Sequence, residues 1–270
     1  MAPRRTARPT LAMLAAEMDG LPPARLPALI RRLERDPRPG ARRLAERARR
    51  RWRQWEEACR RWEDMAGVER RLRAGGARRV AGIDEVGRGC LAGPVVAAAV
   101  ILPESAFVPG LDDSKRLTPA QREELAAEIR RQAEAWAVGV ATPAEIDALN
   151  IWHATRLAMR RALDGLPVAP DVVLVDGRPV PDLGVPQEAV VDGDARCNCI
   201  AAASVLAKVF RDRWMAVLDA AYPGYGFGEH KGYATAAHRE ALRLRGPCPE
   251  HRFSFLPVRT AARGEGQRAG

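Results

Sequence analysis

Residues 80–102 read VAGIDEVGRGCLAGPVVAAAVIL, and the fold class turns on them. The apolar residues 80–83 and the longer apolar run 91–102 read as two strands, joined through the glycine-rich turn Gly87-Arg88-Gly89 in a hairpin-like start. Downstream, Thr118-Pro119 with Glu123 and Glu124 opens a helix to about 134, and 136–141 reads as a strand. Thr142, followed by Pro143 and Glu145, caps a helix that runs to about 163 with a break near Asn150. Residues 172–175 form a short buried strand ending at Asp176-Gly177, and 188–191 another before Asp194; helices follow at about 198–220 and 234–245. Strands and helices in this order predict a mixed α/β domain with carboxylates at strand ends.

Upstream of this domain the character changes. Residues 1–40 read as two short helices broken by Pro22, Pro23, Pro37 and Pro39. From 41 to 74 a single long helix is expected, with Ala45, Ala48, Trp52, Trp55, Cys59, Trp62 and Ala66 spaced alternately three and four apart as an apolar seam. Gly75 and Gly76 end it. The predicted division is therefore a helical, arginine-rich extension over 1–79, the mixed α/β domain over 80–260, and a disordered tail over 261–270.

The formal charge of +10 is unevenly placed: residues 1–79 hold 22 Arg against 10 acids, and the remainder is slightly acidic. Attraction to polyanions thus belongs mainly to the extension, although the tryptophan seam fits equally a brace packed on the enzyme. The chain has 41 Arg and only three Lys, and Lys115, Lys208 and Lys231 each stand in a segment dense in polar groups. A compact ammonium suits a phosphate, where the guanidinium fork favours a planar bidentate partner. Five cysteines are an odd number for a disulfide framework and are expected as thiols. No apolar run of membrane-spanning length and no leader pattern occurs, so a soluble, cytoplasmic chain is expected.

Four acids stand where apolar strands end: Asp84, Glu85, Asp176 and Asp194. Each alone reads as an exposed loop residue, as Asp192 is expected to be. Together they suit hard divalent ions, because magnesium takes oxygen ligands and two such ions about 4 Å apart assist phosphodiester hydrolysis. A Gly-Arg-Gly turn directly after two acids lets backbone approach a ligand closely. Among the tyrosines, Tyr222 and Tyr225 are expected to pack within their loop, leaving Tyr233 to stack on a sugar or base.

The blocks AGIDEVGRGCLAGPVVAAAVIL, LDDSKRLTPAQRE, IDALNIWHATRLAM, VLVDG, GDARCNCIAAASVLAKVFRDRWM, YPGYGFGEHKGYATAAHREAL and GPCPEHRFSF together resemble bacterial ribonuclease HII over about 80–256. The resemblance implies a ribonuclease H-like mixed sheet flanked by helices, a Mg2+ or Mn2+ cofactor, and endonucleolytic cleavage of the RNA strand of RNA/DNA hybrids. It also implies cleavage 5' of ribonucleotides embedded in duplex DNA, with 5'-phosphate and 3'-hydroxyl ends, in ribonucleotide excision repair. By the same resemblance Asp84, Glu85, Asp176 and Asp194 are the catalytic, metal-holding carboxylates. Gly87, Arg88, Gly89 and Tyr233 would sense the ribonucleotide, while Lys115, Lys208 and Arg211 would bind phosphate and support the site. A monomer without membrane attachment is expected.

Cys197 and Cys199 stand where the family more often has serine, so a hydroxyl contact near Asp194 is expected to be weakened or replaced by a thiol. The same pair could be half of a zinc site with His230, His238, Cys248 and His251, although no second Cys-x2-Cys unit accompanies it. His153 and His238 are expected on helix faces rather than as catalytic bases. Ribonuclease HIII shares the fold but lacks the Gly-Arg-Gly element and carries a sheet-containing N-terminal domain. A non-catalytic hybrid-binding protein would need the basic extension but not four carboxylates.

Overall fold

The computed structural model describes residues 8–263. The chain divides into two compact units, Met1–Glu63 and Asp64–Gly270.

In the first unit, α1 (Leu11–Gly20), a 3-10 turn (Pro23–Arg25), α2 (Leu26–Glu34) and the start of α3 (Pro39–Met65) enclose a core of their own. Leu14, Met18, Leu26, Leu29, Ile30, Leu33, Ala41, Ala45 and Ala48 are buried there, with Trp52 packed against them. Thr10 caps α1 by accepting from the Met13 N–H at 3.2 Å, and Arg51 donates to the carbonyls of Met18 and Leu21 at 2.5 and 3.0 Å. Those bonds satisfy carbonyls that the end of a helix leaves free.

The second unit begins with α4 (Gly67–Ala74). The single helix expected over 41–74 is broken at Ala66, whose ψ of −1° leaves the helical path just before the weak helix former Gly67. Val68 and Leu72 then pack on an apolar cluster formed by Val80, Leu174, Val190, Cys197, Cys199 and Ile200. The expected boundary at 79/80 accordingly falls inside the second unit.

Five strands follow: β1 (Val80–Val86), β2 (Val95–Ile101), β3 (Ala135–Ala141), β4 (Val172–Asp176) and β5 (Gln187–Val190). They lie in the order β3-β2-β1-β4-β5. β1 pairs antiparallel with β2 and parallel with β4, giving the expected mixed sheet. The helices are α5 (Pro119–Gln132), α6 (Pro143–Leu149), α7 (Ile151–Asp164), α8 (Asn198–Ala221), α9 (Phe227–His230), α10 (Ala236–Arg245) and α11 (Leu256–Ala262). Asn150 separates α6 from α7 at φ 69°, and its side chain accepts from the N–H groups of Trp152 and His153. α11 carries order past the expected domain end at 260; the rest of the tail, 264–270, lies outside the described residues.

The strand period of two decides which residue meets which helix. Ala81 and Ile83 join Ala154, Ala158 and Ala162 of α7 in the main core, whereas Val80 on the opposite face joins Ile200 of α8. Gly82 shares that second face, and a Cβ there would lie 2.2 Å from the Cys199 carbonyl carbon and 2.3 Å from the Ile200 nitrogen. Glycine therefore lets the backbone of α8 settle directly on β1. The second strand expected over 91–102 starts only at Val95, because residues 91–94 are held otherwise, as described below. Among the described residues no helix is long and apolar enough to cross a membrane.

Candidate active site

Asp84 and Glu85 are consecutive on β1, so their side chains leave opposite faces. Asp84 falls on the α8 side, 8% exposed, where the Ser204 hydroxyl donates to it and the Glu85 N–H donates to its Oδ1 at 2.8 Å. Burial, then the neighbouring charges of Glu85 and Asp176, push the Asp84 carboxyl well above the ordinary range despite those bonds. Pairing of Ile83 with Val175 brings Asp176, one residue on, to the neighbouring strand end. Its Oδ1 accepts from the Gly193 N–H at 2.7 Å, which ties β4 to the turn carrying Asp194. The Asp194 carboxyl is also raised, by burial and then by Asp113 and Asp176, with Lys115 opposing. The Lys115 ammonium lies 3.6 Å from Asp194 and 3.8 Å from Asp113. Desolvation works against that ammonium, but Asp113, Asp194, Asp84 and Asp176 outweigh it and raise its pKa.

Asp84, Glu85, Asp176 and Asp194 thus form one electrostatic cluster, in which Glu85 and Asp176 add to the cost of ionising Asp84, and Asp176 to that of Asp194. Among the described residues no three His, Cys, Asp or Glu side chains stand as a finished metal cage. Glu85 accepts from Arg88 at 3.0 Å, Asp176 from Gly193, and Asp194 faces Lys115, so several carboxylate oxygens already have protein partners. The donor set nevertheless fits a hard cation: it is all oxygen, and a positive charge would relieve the repulsion centred on buried Asp84.

The Gly87–Gly89 turn is fixed from beneath by two fully buried arginines. Arg252 donates through Nη2 to Gly87 O at 2.6 Å, through Nη1 to Arg88 O at 2.8 Å, and to Gly93 O from Nε at 3.0 Å and Nη2 at 2.8 Å. Arg211 donates to the carbonyls of Pro94, Lys231 and Ala92 at 2.9, 2.8 and 3.1 Å. These bonds take the carbonyls of 92–94 away from strand pairing and explain the late start of β2. Gly87, at φ 92°, has room for no Cβ, which would lie 2.2 Å from Arg211 Nε; a Cβ on Gly89 would meet nothing within 4 Å. Of the two roles that the resemblance implied for Arg211, phosphate binding and support of the site, its geometry fits support: it is 0% exposed and occupied by main-chain oxygens.

The other expected contacts divide. Lys115 is exposed beside the carboxylates, whereas Lys208 is paired with Asp212 at 2.7 Å. Tyr233 is 43% exposed. Burial, and then Cys90, push its phenol above the ordinary value, and its carbonyl accepts from His238 Nδ1 at 2.9 Å. Tyr222 and Tyr225 pack within their loop against a cluster containing Phe227, as expected. Asp192 is exposed at φ 54°.

Sequence reasoning missed Asp113 and Ser204, the first adjoining Asp194 and the second donating to Asp84. Both lie in blocks singled out for their lysines, and the spacing of Ser204 and Lys208 on one helix turn was the available signal. The two cysteines face away from Asp194: the Cys199 thiol bonds Glu69, whose carboxylate also accepts from the Cys199 N–H at 2.9 Å. Burial pushes the Cys197 thiol up to about 12. No zinc cluster forms among the described residues. Cys248 N–H instead donates to His251 Nδ1 at 3.0 Å, leaving His251 Nε2 to donate to His238 Nε2 at 3.1 Å, and His238 Nδ1 to donate to the Tyr233 carbonyl. His238 is therefore a buried link on the inner face of α10.

Residues 81–258 match the family model of ribonuclease HII. The chain is 56% identical over 207 residues to ribonuclease HII of Geobacillus kaustophilus, covering 77% of this chain and 79% of that protein. It is 52% identical over 234 residues to ribonuclease HII of Myxococcus xanthus, covering 86% and 80%. Among solved structures, ribonuclease H2 of Pyrococcus horikoshii superposes with a TM-score of 0.59 at 28% identity, covering 71% of this chain and all of that one. Bst-RNase HIII with Mn2+ superposes with a TM-score of 0.55 at 20% identity, covering 72% of each, a likeness of fold. With its mixed sheet, its carboxylate cluster and these relatives, the chain belongs to the ribonuclease HII family, endonucleolytic hydrolases of the RNA strand in RNA/DNA hybrids.

Proposed function

We propose that the chain also cuts duplex DNA 5' of a single embedded ribonucleotide, leaving 5'-phosphate and 3'-hydroxyl ends, in ribonucleotide removal. The observation that carries the reading is the junction of two features: a carboxylate pushed well above its ordinary pKa by burial and then by like charges, and, three residues on, a glycine turn locked by Arg252. Asp84, Glu85, Asp176 and Asp194 would hold Mg2+ or Mn2+. Such an ion lowers the pKa of an attacking water and neutralises charge on the phosphate. The residues divide the remaining work. Ser204 and the Glu85 N–H hold Asp84 in place, and Gly193 does the same for Asp176. Lys115 supplies a compact cation beside Asp194 for a phosphate. Arg88 and the open backbone at Gly89 read the 2'-hydroxyl, the group that separates RNA from DNA, and the half-exposed ring of Tyr233 stacks on the following deoxyribose. Lys208, held by Asp212, supports the site at one remove. Action as a monomer in the cytoplasm completes the proposal.

The test is cleavage of a DNA duplex carrying one ribonucleotide, with and without Mg2+, and with the product ends mapped. Cleavage 5' of the ribonucleotide that stops in EDTA is expected. Cleavage on its 3' side, or full activity in EDTA, would overturn the reading.

A further inference from the structure

A cavity of about 320 Å3 opens beside the carboxylates, and Glu85 and Asp176 form part of its wall. The alternation along β1 accounts for its place: Asp84 faces α8, and Glu85 is turned to the α7 side where the cavity lies. Its lining includes the buried side chains of Met159 and Val180, 3% and 5% exposed, while the Trp152 indole is 40% exposed. Ligand sites are concave, largely apolar, and carry a few placed polar groups; this one lies at the lower end of their usual size, roughly 300 Å3.

Three guanidinium groups join the lining, and they are not equivalent. Arg88 is bonded to Glu85 at 3.0 Å. Arg156 is fixed by the Pro181 carbonyl at 3.1 Å and by Asp182 at 2.6 Å. Arg178 is exposed on the loop leaving β4, two residues beyond Asp176, with no side-chain partner among the described residues. A free cation next to two carboxylates, above an apolar floor and beside an exposed indole, suits an amphipathic anion with a flat ring. On the far side of the carboxylates, Lys115 stands against Asp194. One cation thus adjoins the cluster at Asp194 and another lies in the cavity that Glu85 and Asp176 line, two places where a bound strand's phosphates can be met.

We propose that this cavity seats the nucleotide next to the scissile phosphate, with Arg178 on that nucleotide's outer phosphate and Trp152 stacked on its base or sugar. Asn150 is the positioning residue for Trp152: its side chain holds the N–H groups of Trp152 and His153 at 3.0 and 3.1 Å, fixing the first turn of α7. The subsite deepens the reading of the chain as a nuclease acting on embedded ribonucleotides and rests on it.

The experiment is a coupling cycle between a protein cation and a substrate anion. Equilibrium binding of a duplex with one ribonucleotide is measured in EDTA, for the intact chain and for Arg178→Ala. The duplex is all-phosphate, or carries a single neutral methylphosphonate at each flanking position in turn. Arg178→Ala is expected to weaken binding about tenfold and to flatten the slope of log K against log salt by roughly 0.7 to 0.9. At one position the methylphosphonate should weaken the intact chain equally and Arg178→Ala no further. Losses that multiply at every position, or unchanged binding by Arg178→Ala, would overturn the proposal. Trp152→Ala should also weaken binding and Trp152→Tyr restore it; failure of tyrosine to restore it would overturn the stacking role. Melting temperatures of the variants separate misfolding from lost contact. Cleavage of the same duplex in Mg2+ tests the underlying function separately, because the binding cycle does not depend on turnover.

Discussion

Replacing Arg252 by methionine removes a buried cation and four hydrogen bonds while keeping much of the side chain's apolar volume. The expected loss can be assembled from the structure. Burial, with Arg211 alongside, pulls the Arg252 guanidinium down to about 10 from 12.5; at 1.36 kcal/mol per pKa unit, keeping it charged costs about 3 kcal/mol. Methionine recovers that cost. It also strands the carbonyls of Arg88 and Gly93 and leaves that of Gly87 only the long 3.5 Å bond from the Cys90 N–H, and each unpaired buried carbonyl costs about 1–3 kcal/mol. The midpoint for three is about 6 kcal/mol, so the net loss is about 3 kcal/mol. For a unit of this size that lowers the melting temperature by roughly 6–12 °C. Because two of the freed carbonyls belong to the turn proposed to sense the ribonucleotide, kcat/KM at a single embedded ribonucleotide should fall further than kcat/KM on a long hybrid, where many registers can be cut. Arg252→Lys keeps the charge but not the fork and should lie between the two. Urea and thermal unfolding, set beside steady-state cleavage of both substrates, provide the measurement. A melting temperature within about 2 °C of the parent, with an unchanged ratio of the two activities, would refute the view that Arg252 staples the turn.

Three further outcomes are expected. Asp84→Asn should lose most turnover yet melt higher than the parent in EDTA: a carboxyl raised above its unfolded value withdraws stability as pH rises from about 4 through its folded pKa. A lower melting temperature for Asp84→Asn would contradict this. His251, held down to about 4 by burial and then by His238, should make the fold lose about 3 kcal/mol as pH falls from its unfolded value near 6.5 through 4; His251→Gln should flatten that part of the curve, and an unaltered curve would count against it. Removing residues 1–63, which carry 17 Arg against 8 acids, should flatten the salt slope of duplex binding by roughly 2 to 3 if the unit touches about three phosphates, whereas a lower melting temperature with the same slope would make it a brace.

The truncation is placed at 63 rather than 79 for a reason invisible in the helical pattern. The apolar spacing of 41–74 continues through Ala66 with little change, so period alone predicts one helix. Yet Glu69, 4% exposed, accepts from the Cys199 N–H at the start of α8, and that tertiary bond assigns α4 to the second unit. The mixed sheet is legible because strand alternation and glycine turns are local signals, and the four candidate carboxylates because they stand in or soon after apolar strands, Asp84 and Glu85 in β1, Asp176 at the end of β4 and Asp194 four residues past β5. Nothing local distinguishes Asp113 from Asp112 in the segment DDSKRL. Only the approach of that loop to Asp194 does so.

Arginine shows the same limit in a form that bears on catalysis. In a chain with 41 Arg, composition cannot distinguish a guanidinium for phosphate from one for main-chain carbonyls, and only the geometry of Arg211, expected both to bind phosphate and to support the site, places it with the second. The distinction matters because a buried arginine bound to carbonyls carries its charge without a counter-ion beside it. Arg211 and Arg252 together place two positive charges beneath the loop that leads from Glu85 to β2. Their field acts on anything above that turn, and the open face of Gly89 leaves the path short. The arginines that look structural thus contribute to the potential above that turn, and the turn's support does not depend on the Arg88–Glu85 ion pair, since the Gly87 and Arg88 carbonyls are bound to Arg252.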